Sequence, residues 1–381
     1  MRFGSPLDKD QIRQKGMTFM IEKGRISPLQ LAIIMHPTVL ATATLSVPSI
    51  TMKTAGIDMW MTPILSAMVG LLSVIVMYRL YIKYPELTFI QYTEAILGVY
   101  AGKALSGFFL VSFIFTNGLV LREYGEFVIG NFLHETPMAL VIFCMVAVCA
   151  YVLYEGIEVL ARVSQILIPS AVLIIFIMLI LMIPDLHPKE MFPILGDGPL
   201  PLLVGSLVPS SWFTQFFMLS FLYPFLNKKR HVLQWSFLSV GIVMITLLTI
   251  NLTILLMFGS LTVQFNYAFL IAVRYISISD FLEHIEALVM TIWIIGMFIK
   301  VSLIYYATVL GTAQCLGLSD YRPLIVPVGF LILLLSFWVS PNFQELMHAI
   351  GTNIPFLALI TQLGVPSMLL LAASFRKGQQ G

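Results

Sequence analysis

The stretch 26–50 constrains the fold more than any other. It reads IleSerProLeuGlnLeuAlaIleIleMetHisProThrValLeuAlaThrAlaThrLeuSerValProSerIle. That exceeds the roughly 20 apolar residues that carry a helix across a bilayer. Yet Pro37 and Pro48 lie within it, on either side of the small residues Ala41, Thr42, Ala43 and Thr44. A proline removes a backbone donor and clashes with the preceding turn. In hydrocarbon, opened backbone is tolerated only where protein or a watery cavity satisfies it. Two readings follow. One is a broken spanning helix whose gap, at Thr42, Ala43, Thr44 and Leu45, faces something polar. The other is a kinked helix packed against its neighbours.

Further apolar segments follow at 60–82, 104–132, 138–153, 157–183, 202–226, 232–258, 285–314, 324–339 and 353–374. Only 10% of the residues are charged and 59% are hydrophobic, with a mean hydropathy of +0.95. Soluble domains carry about 25% charged residues, so a soluble fold is excluded. The expected architecture is an all-α polytopic membrane protein with ten transmembrane helices at 26–375. A basic tail at 1–25, with no cleavable signal, precedes them, and a short end at 376–381 follows. The connection 83–103 is expected to hold a short surface helix, and 262–284 an amphipathic external one.

Lys and Arg in short loops set orientation. With the N-terminus inside, the inner side collects the tail (Arg2, Lys9, Arg13, Lys15, Lys23, Arg25), Arg79, Lys83, Lys103, Arg162, Lys228, Lys229 and Arg230. Arg322, Arg376 and Lys377 join them. The outer side receives Lys53, Lys189 and Arg274. Both termini are therefore expected in the cytoplasm. Segments one and six each open a group of five and each carries an interruption, in segment six at Pro209, Ser210 and Ser211. Five spans per half give two halves of opposite topology, 26–183 and 202–374. Paired interrupted helices in inverted halves point to a transporter-type site at the membrane midplane.

Polar residues within the spans narrow the site. Lys300 sits near the middle of segment eight, where a charge costs at least about 2.5 to 3.5 kcal/mol. It is expected to face a cavity, a carboxylate or the opened backbone of segment one; a purely structural tie is the competing reading. Arg122 and Glu126 are four residues apart on one helix face and can pair, so with Glu123 they read as a structural cluster. Asn117 and Gly118, deeper in the same segment, are candidates to line a pocket. Ser211 and Trp212 supply a hydroxyl and an aromatic wall. A helix restarting there would turn its N–H groups toward an anion such as a carboxylate. The three cysteines suggest neither a disulfide framework nor a metal site. No nucleotide-binding loop, nucleophile elbow or His-rich metal pattern occurs, so neither an enzyme nor a cofactor is expected.

Several stretches resemble the endospore germination permease family, which supplies the B subunits of spore germinant receptors. They are IleSerProLeuGlnLeu (26–31), LeuSerValPro (45–48), GlyIleAsp…Trp (56–60), GlyIleGluValLeuAlaArg (156–162), PheProIleLeuGlyAspGly (192–198), SerAspPheLeuGluHisIleGlu (279–286) and PheIleLysValSerLeu (298–303). The resemblance runs in order from about residue 25 to 375. It implies an amino acid–polyamine–organocation superfamily member with the leucine-transporter-like five-plus-five inverted repeat and broken helices 1 and 6. It also implies residence in the spore inner membrane, a small nutrient germinant such as an amino acid, and two partners: a membrane A subunit and a C-subunit lipoprotein. Nucleic acid has no place in such an assembly. The family's site carries over to Thr42, Ala43 and Thr44, to Ser211 and Trp212, and to the region of Lys300. The chain departs from the family pattern with AlaThrAlaThr (41–44) where a Gly-rich break is usual, and with Thr214 and Gln215 where Gly-Glu is common.

Three functions share this architecture, because fold does not decide function. The chain can be a receptor subunit that binds a germinant at Thr42, Ala43, Thr44, Leu45, Asn117, Ser211, Trp212 and Lys300. It can be an amino acid secondary transporter. It can also be a scaffold with a degenerate pocket that anchors its A partner.

Overall fold

Ser27 opens the helical part of the chain. Its hydroxyl accepts the Gln30 N–H at 3.2 Å, the Gln30 side chain accepts the Ser27 N–H at 2.8 Å, and Pro28 takes the first helical position. This reciprocal cap satisfies donors that a helix start leaves free. The computed structural model describes residues 22, 24–228, 230–276 and 286–375. Among these residues every regular element is helical, and only an isolated bridge between Ile26 and Leu226 has strand character.

The first helix, α1 (Pro28–Ala55), is continuous and contains both Pro37 and Pro48. The gap expected at Thr42–Leu45 is therefore absent: the helix is continuous and packed against its neighbours. Hydroxyls and neighbouring side chains brace the helix around the prolines. Thr38 Oγ1 donates to Ile34 O at 2.7 Å and Thr51 Oγ1 to Val47 O at 2.7 Å. From other helices, Ser239 Oγ donates to Ala32 O at 3.1 Å and Trp293 Nε1 donates to Ala41 O. These bonds hold the helix to itself and to its neighbours on either side of the prolines. Gly56, at φ 57°, ends α1, and a 3-10 turn at Gly56–Met61 leads into α2 (Thr62–Lys83).

Segment six departs from expectation in a related way. Helix α7 (Pro199–Phe213) runs through Pro209, where the hydroxyls of Ser206, Ser210 and Ser211 bond carbonyls of their own helix at 2.6–2.7 Å. The irregularity comes after Phe213, as a 3-10 segment at Thr214–Met218, the short α8 (Leu219–Leu222) and a 3-10 turn at Tyr223–Phe225. The expected interruption at Pro209–Ser211 is thus displaced toward the C-terminus, and it is a tightening rather than a gap. Contacts fix the directions of the three helices. Ser66 of α2 donates to Ser206 O, and Gly70 faces Phe213, so α2 and α7 advance together. Ala55 meets Gly205 while Thr42 meets Trp212, so α1 runs the opposite way.

The remaining helices are α3 (Phe89–Leu97), α4 (Val99–Asn131), α5 (Met138–Glu155), α6 (Ile157–Leu181) and α9 (Val232–Phe258). They are followed by α10 (Ala268–Tyr275), α11 (Glu286–Leu316), α12 (Ile325–Trp338), α13 (Phe343–Gly351), α14 (Asn353–Ala358) and α15 (Val365–Phe375). A π-helical turn, Leu359–Gly364, joins the last two. Helix α1 lies at the centre, packed against α6, α7, α9 and α11, while α4 packs on α3, α11 and α12. The connecting helix α3 is not a surface element, since Phe89, Ile90, Tyr92 and Ile96 are buried in the core.

Eight helical runs among the described residues are long and apolar enough to cross a membrane, or nine when the 99°-bent pair Arg322–Trp338 and Phe343–Gly351 is one span. The expected ten is not reached by that measure, because α1 and α2 form one uninterrupted run, Pro28–Lys83. Residues 1–21 of the expected tail, the end at 376–381 and residues 277–285 of the expected external helix lie outside the described residues. The described end of the tail is stitched to the bundle. The Glu22 carboxylate accepts from Gly24 N at 2.7 Å and from Tyr321 OH at 3.0 Å, and Ile26 N donates to Phe225 O at 2.9 Å.

Candidate ligand-binding cavity

Thr42 and Ser46 are four residues apart on α1 and share a face, about one turn or about 6 Å apart along the axis. Each holds an ionisable side chain from another helix. The Lys300 Nζ of α11 donates to Thr42 Oγ1 at 2.8 Å, and Ser46 Oγ donates to Glu123 Oε1 of α4 at 2.6 Å. Trp212 Nε1 of α7 also donates to Thr42 Oγ1, at 2.7 Å, so one hydroxyl ties three helices together. Lys300 is 0% exposed and Glu123 is 1% exposed. Burial of such groups away from water is costly unless partners compensate. The close approach behind this geometry comes from Gly296 of α11, where an added Cβ would stand 3.1 Å from Ala41 Cβ.

These groups form the floor of a cavity of about 320 Å³, lined by Thr42, Glu123, Ser211, Trp212, Gln215, Lys300 and Gln362 among others. That volume is at the small end of the roughly 300–1,000 Å³ typical of small-molecule sites. Lysine carries three donors, and among the described residues Thr42 is the one hydrogen-bond acceptor for the Lys300 amine. Lys300 and Glu123 face the same cavity without an ion pair within 4.0 Å. Gln215 Oε1 is buried with no hydrogen-bond partner among the described residues. Gln362 Oε1 accepts from Thr214 Oγ1 at 3.2 Å, joining the terminal helices to the 3-10 segment. The floor therefore offers a donor, two acceptors and an aromatic wall to one small polar guest.

Of the residues expected from the sequence, Thr42, Ser211, Trp212 and Lys300 come together on this cavity. The Ser211 hydroxyl is engaged with Val208 O at 2.7 Å. Ala43, Thr44 and Leu45 do not line it. In a continuous helix each successive residue turns about 100°, so Ala43 and Thr44 turn away from the Thr42 face; Leu45, three residues on, returns toward that face, but it and Ala43 are buried in packing outside the cavity lining. Asn117 is also outside the cavity. It is fully buried, with neither amide atom hydrogen-bonded among the described residues.

The sequence reading missed Glu123, Gln215, Ser46 and Gln362. Arg122 and Glu126 do form the expected pair, at 2.8 Å, and Glu123 was grouped with them although it points to another face. A signal existed in the residues. Phe109, Phe113, Thr116, Val120 and Glu123 recur at steps of four and three, and all five line the cavity. This is one helical stripe, and Asn117 lies one residue off it.

Comparison with known proteins places these observations in a family. Residues 25–344 match the family model described as spore germination protein, the spore permeases. The chain is 29% identical over 364 residues to spore germination protein KB of Bacillus subtilis (strain 168), covering 94% of this chain and 96% of that one. It is 24% identical over 359 residues to spore germination protein YndE of the same organism, with 93% and 97% covered. Among solved structures it resembles Mhp1, a nucleobase-cation-symport-1 family transporter, in a closed conformation with bromovinylhydantoin bound. The TM-score is 0.67 at 12% identity, over 93% of this chain and 80% of that one. A Na+-coupled sialic acid symporter in a substrate-bound outward-open state gives 0.65 at 13% identity, over 92% and 82%. The fold is the leucine-transporter-like fold of these symporters.

Proposed function

Because the chain belongs to the spore germination permease family, we propose that it is the membrane B subunit of a spore germinant receptor, holding an amino acid in the cavity between α1, α4, α7 and α11. One observation carries the reading: Lys300 and Glu123, of opposite charge when ionised, are buried on one cavity, held by hydroxyls one helical turn apart on α1, and do not pair directly. A zwitterion answers that arrangement. Its carboxylate meets the Lys300 ammonium, and its ammonium meets Glu123 and the open Gln215 Oε1. Charged groups buried in this way stabilise a guest that completes their pairing more than one that does not. No enzymatic step is required.

The proposed signal is a population shift. A ligand moves an equilibrium only by binding one packing better than the other. Gln215 lies in the 3-10 segment Thr214–Met218, and mid-helix 3-10 geometry often marks a hinge. A guest that engages Gln215 therefore acts on the element best suited to repack. A membrane A subunit and a C-subunit lipoprotein would read the shift in the spore inner membrane. In this reading α1 and α2 are separate spans and the bent α12–α13 pair is one, which makes ten spans in two inverted halves with both termini cytoplasmic. The distribution of Lys and Arg supports that orientation.

The test is calorimetric binding of an amino acid panel to the receptor, with its partners, in lipid nanodiscs. Saturable binding that is lost in Lys300→Met and weakened in Glu123→Gln, at unchanged melting temperature, supports the reading. Equal binding to all three proteins sinks it. The symporter fold supports a second reading, an amino acid secondary transporter. Net uptake into liposomes by the purified chain would select that one.

A further inference from the structure

The cavity has a second end. From the polar floor it runs along α4 and reaches the surface between α4 and the terminal helices, where Phe108, Val111, Phe115 and Leu357 form its rim. These rim residues are exposed, Val111 by 67% and Leu357 by 49%. Phe115 is the central residue of the 33-residue helix α4. A helix of that length spans the full hydrocarbon layer of about 30 Å, so the mouth opens into the bilayer and not onto an aqueous face.

The chemistry of this arm matches its surroundings. Phe109, Phe113 and Val120 form its inner wall and are buried. The hydroxyls along it are turned back onto their own helices: Ser112 Oγ to Phe108 O at 2.9 Å, Thr116 Oγ1 to Ser112 O at 2.8 Å and Thr361 Oγ1 to Leu357 O at 2.7 Å. With their donors engaged, these hydroxyls offer a water in the arm only acceptor lone pairs, and the rest of the wall is apolar, a poorer setting than the polar sites that hold buried water. An empty arm would leave its walls without dispersion contacts. Hydrocarbon is the material at hand.

We propose that the arm is an acyl-chain site: the chain of a membrane lipid enters between α4 and α14 and lies against Phe109, Phe113 and Val120, stopping short of Glu123 and Lys300. The site is distinct from the polar floor, and it stands whatever guest the floor takes. Because both guests share one cavity, their occupancies are linked, and each shifts the affinity of the other by the same factor.

The experiment uses the full chain in nanodiscs containing a phosphatidylglycerol with a photoreactive diazirine at mid-chain. After irradiation, adducts are located by mass-spectrometric peptide mapping. Adducts on the buried Phe109, Phe113 or Val120 are expected, together with their loss in Val111→Trp/Leu357→Trp, which plugs the mouth. Labelling of Phe143, which faces outward from α5 and is exposed, should stay constant. Adducts confined to outward-facing residues would overturn the proposal. In case the plugged variant does not fold, the wild type is also labelled with the diazirine next to the headgroup. Equal labelling of Phe113 by both probes would likewise overturn it, since the arm would then admit headgroups rather than chains.

Discussion

Thr42 and Ser46, one turn apart on α1, hold side chains of opposite charge type from two different helices, Lys300 at 2.8 Å and Glu123 at 2.6 Å. Two hydroxyls a single helical turn apart thus anchor the two groups that a bound guest would meet. The same Thr42 hydroxyl also accepts from Trp212, so the cavity floor and the packing of α1, α7 and α11 depend on one oxygen.

Thr42→Val keeps the shape of the side chain and removes that oxygen. It leaves the indole N–H of Trp212 and the Lys300 amine without their acceptor. An orphaned buried donor costs about 1–3 kcal/mol, more when charged. The expected outcome is a lower melting temperature of the purified chain. An unchanged melting curve would show that the hydroxyl does not join the helices.

Lys300→Met replaces the amine with an apolar chain of similar length. Insertion should be preserved, since the variant carries one fewer buried polar group. Removing one partner of a buried charged contact costs about 2–5 kcal/mol, so the half-maximal germinant concentration should rise by more than about tenfold. Dipicolinate release from spores measures it, with the subunit level followed in parallel. A normal response at normal level would uncouple Lys300 from the ligand.

Ala43→Leu probes the edge of the site from the other side. Ala43 is 0% exposed and does not line the cavity. Overpacking such a position costs about 1–3 kcal/mol, so the subunit level should fall while the range of effective germinants stays the same. A changed germinant range at full protein level would contradict the placement of Ala43.

Gly205→Leu tests the approach of α7 to α1. A Cβ at Gly205 would stand 2.7 Å from Ala55 Cβ and 3.1 Å from the Ala55 backbone nitrogen, which cannot move aside cheaply. Strain of at least about 1–3 kcal/mol is expected. Detergent-solubilised protein should aggregate at lower temperature than wild type; equal thermal stability would show that the helices separate freely there.

Tyr321→Phe addresses the strap at the start of the chain. The phenol lies 3.0 Å from the Glu22 carboxylate and 3.1 Å from Leu153 O. Its loss should speed trypsin cleavage after Arg25 in membranes made accessible from both sides. Cleavage at the wild-type rate would mean that the other contacts of this segment suffice.

Hydropathy along the chain was enough to locate the long helices, though not the short α13 between two of them. Segment seven, read as 232–258, is helix α9 at Val232–Phe258, and segment four begins at Met138 as expected. Such boundaries are legible because an apolar run and the Pro, Gly or polar residues that end it are neighbours in sequence. Membership of the family was legible for a similar reason: its short motifs occur in order along the chain.

What the prolines do was decided elsewhere. Pro37 and Pro48 sit inside a continuous α1 that is tied down on either side of them by bonds from Thr38 and Thr51 and from Ser239 and Trp293, the last two roughly 200 and 250 residues away in the chain. Likewise Lys300, Trp212 and Thr42 were legible as polar residues in apolar surroundings, whereas Glu123 and Gln215 took their places only through the rotation of α4 and the 3-10 turn after Phe213. The sequence by itself determined that this chain is a bundle of membrane helices of the germination permease kind, because hydrophobicity and motifs are local properties. Only the tertiary structure decided which face of each helix turns inward, because that rotation follows from packing between residues far apart in the chain.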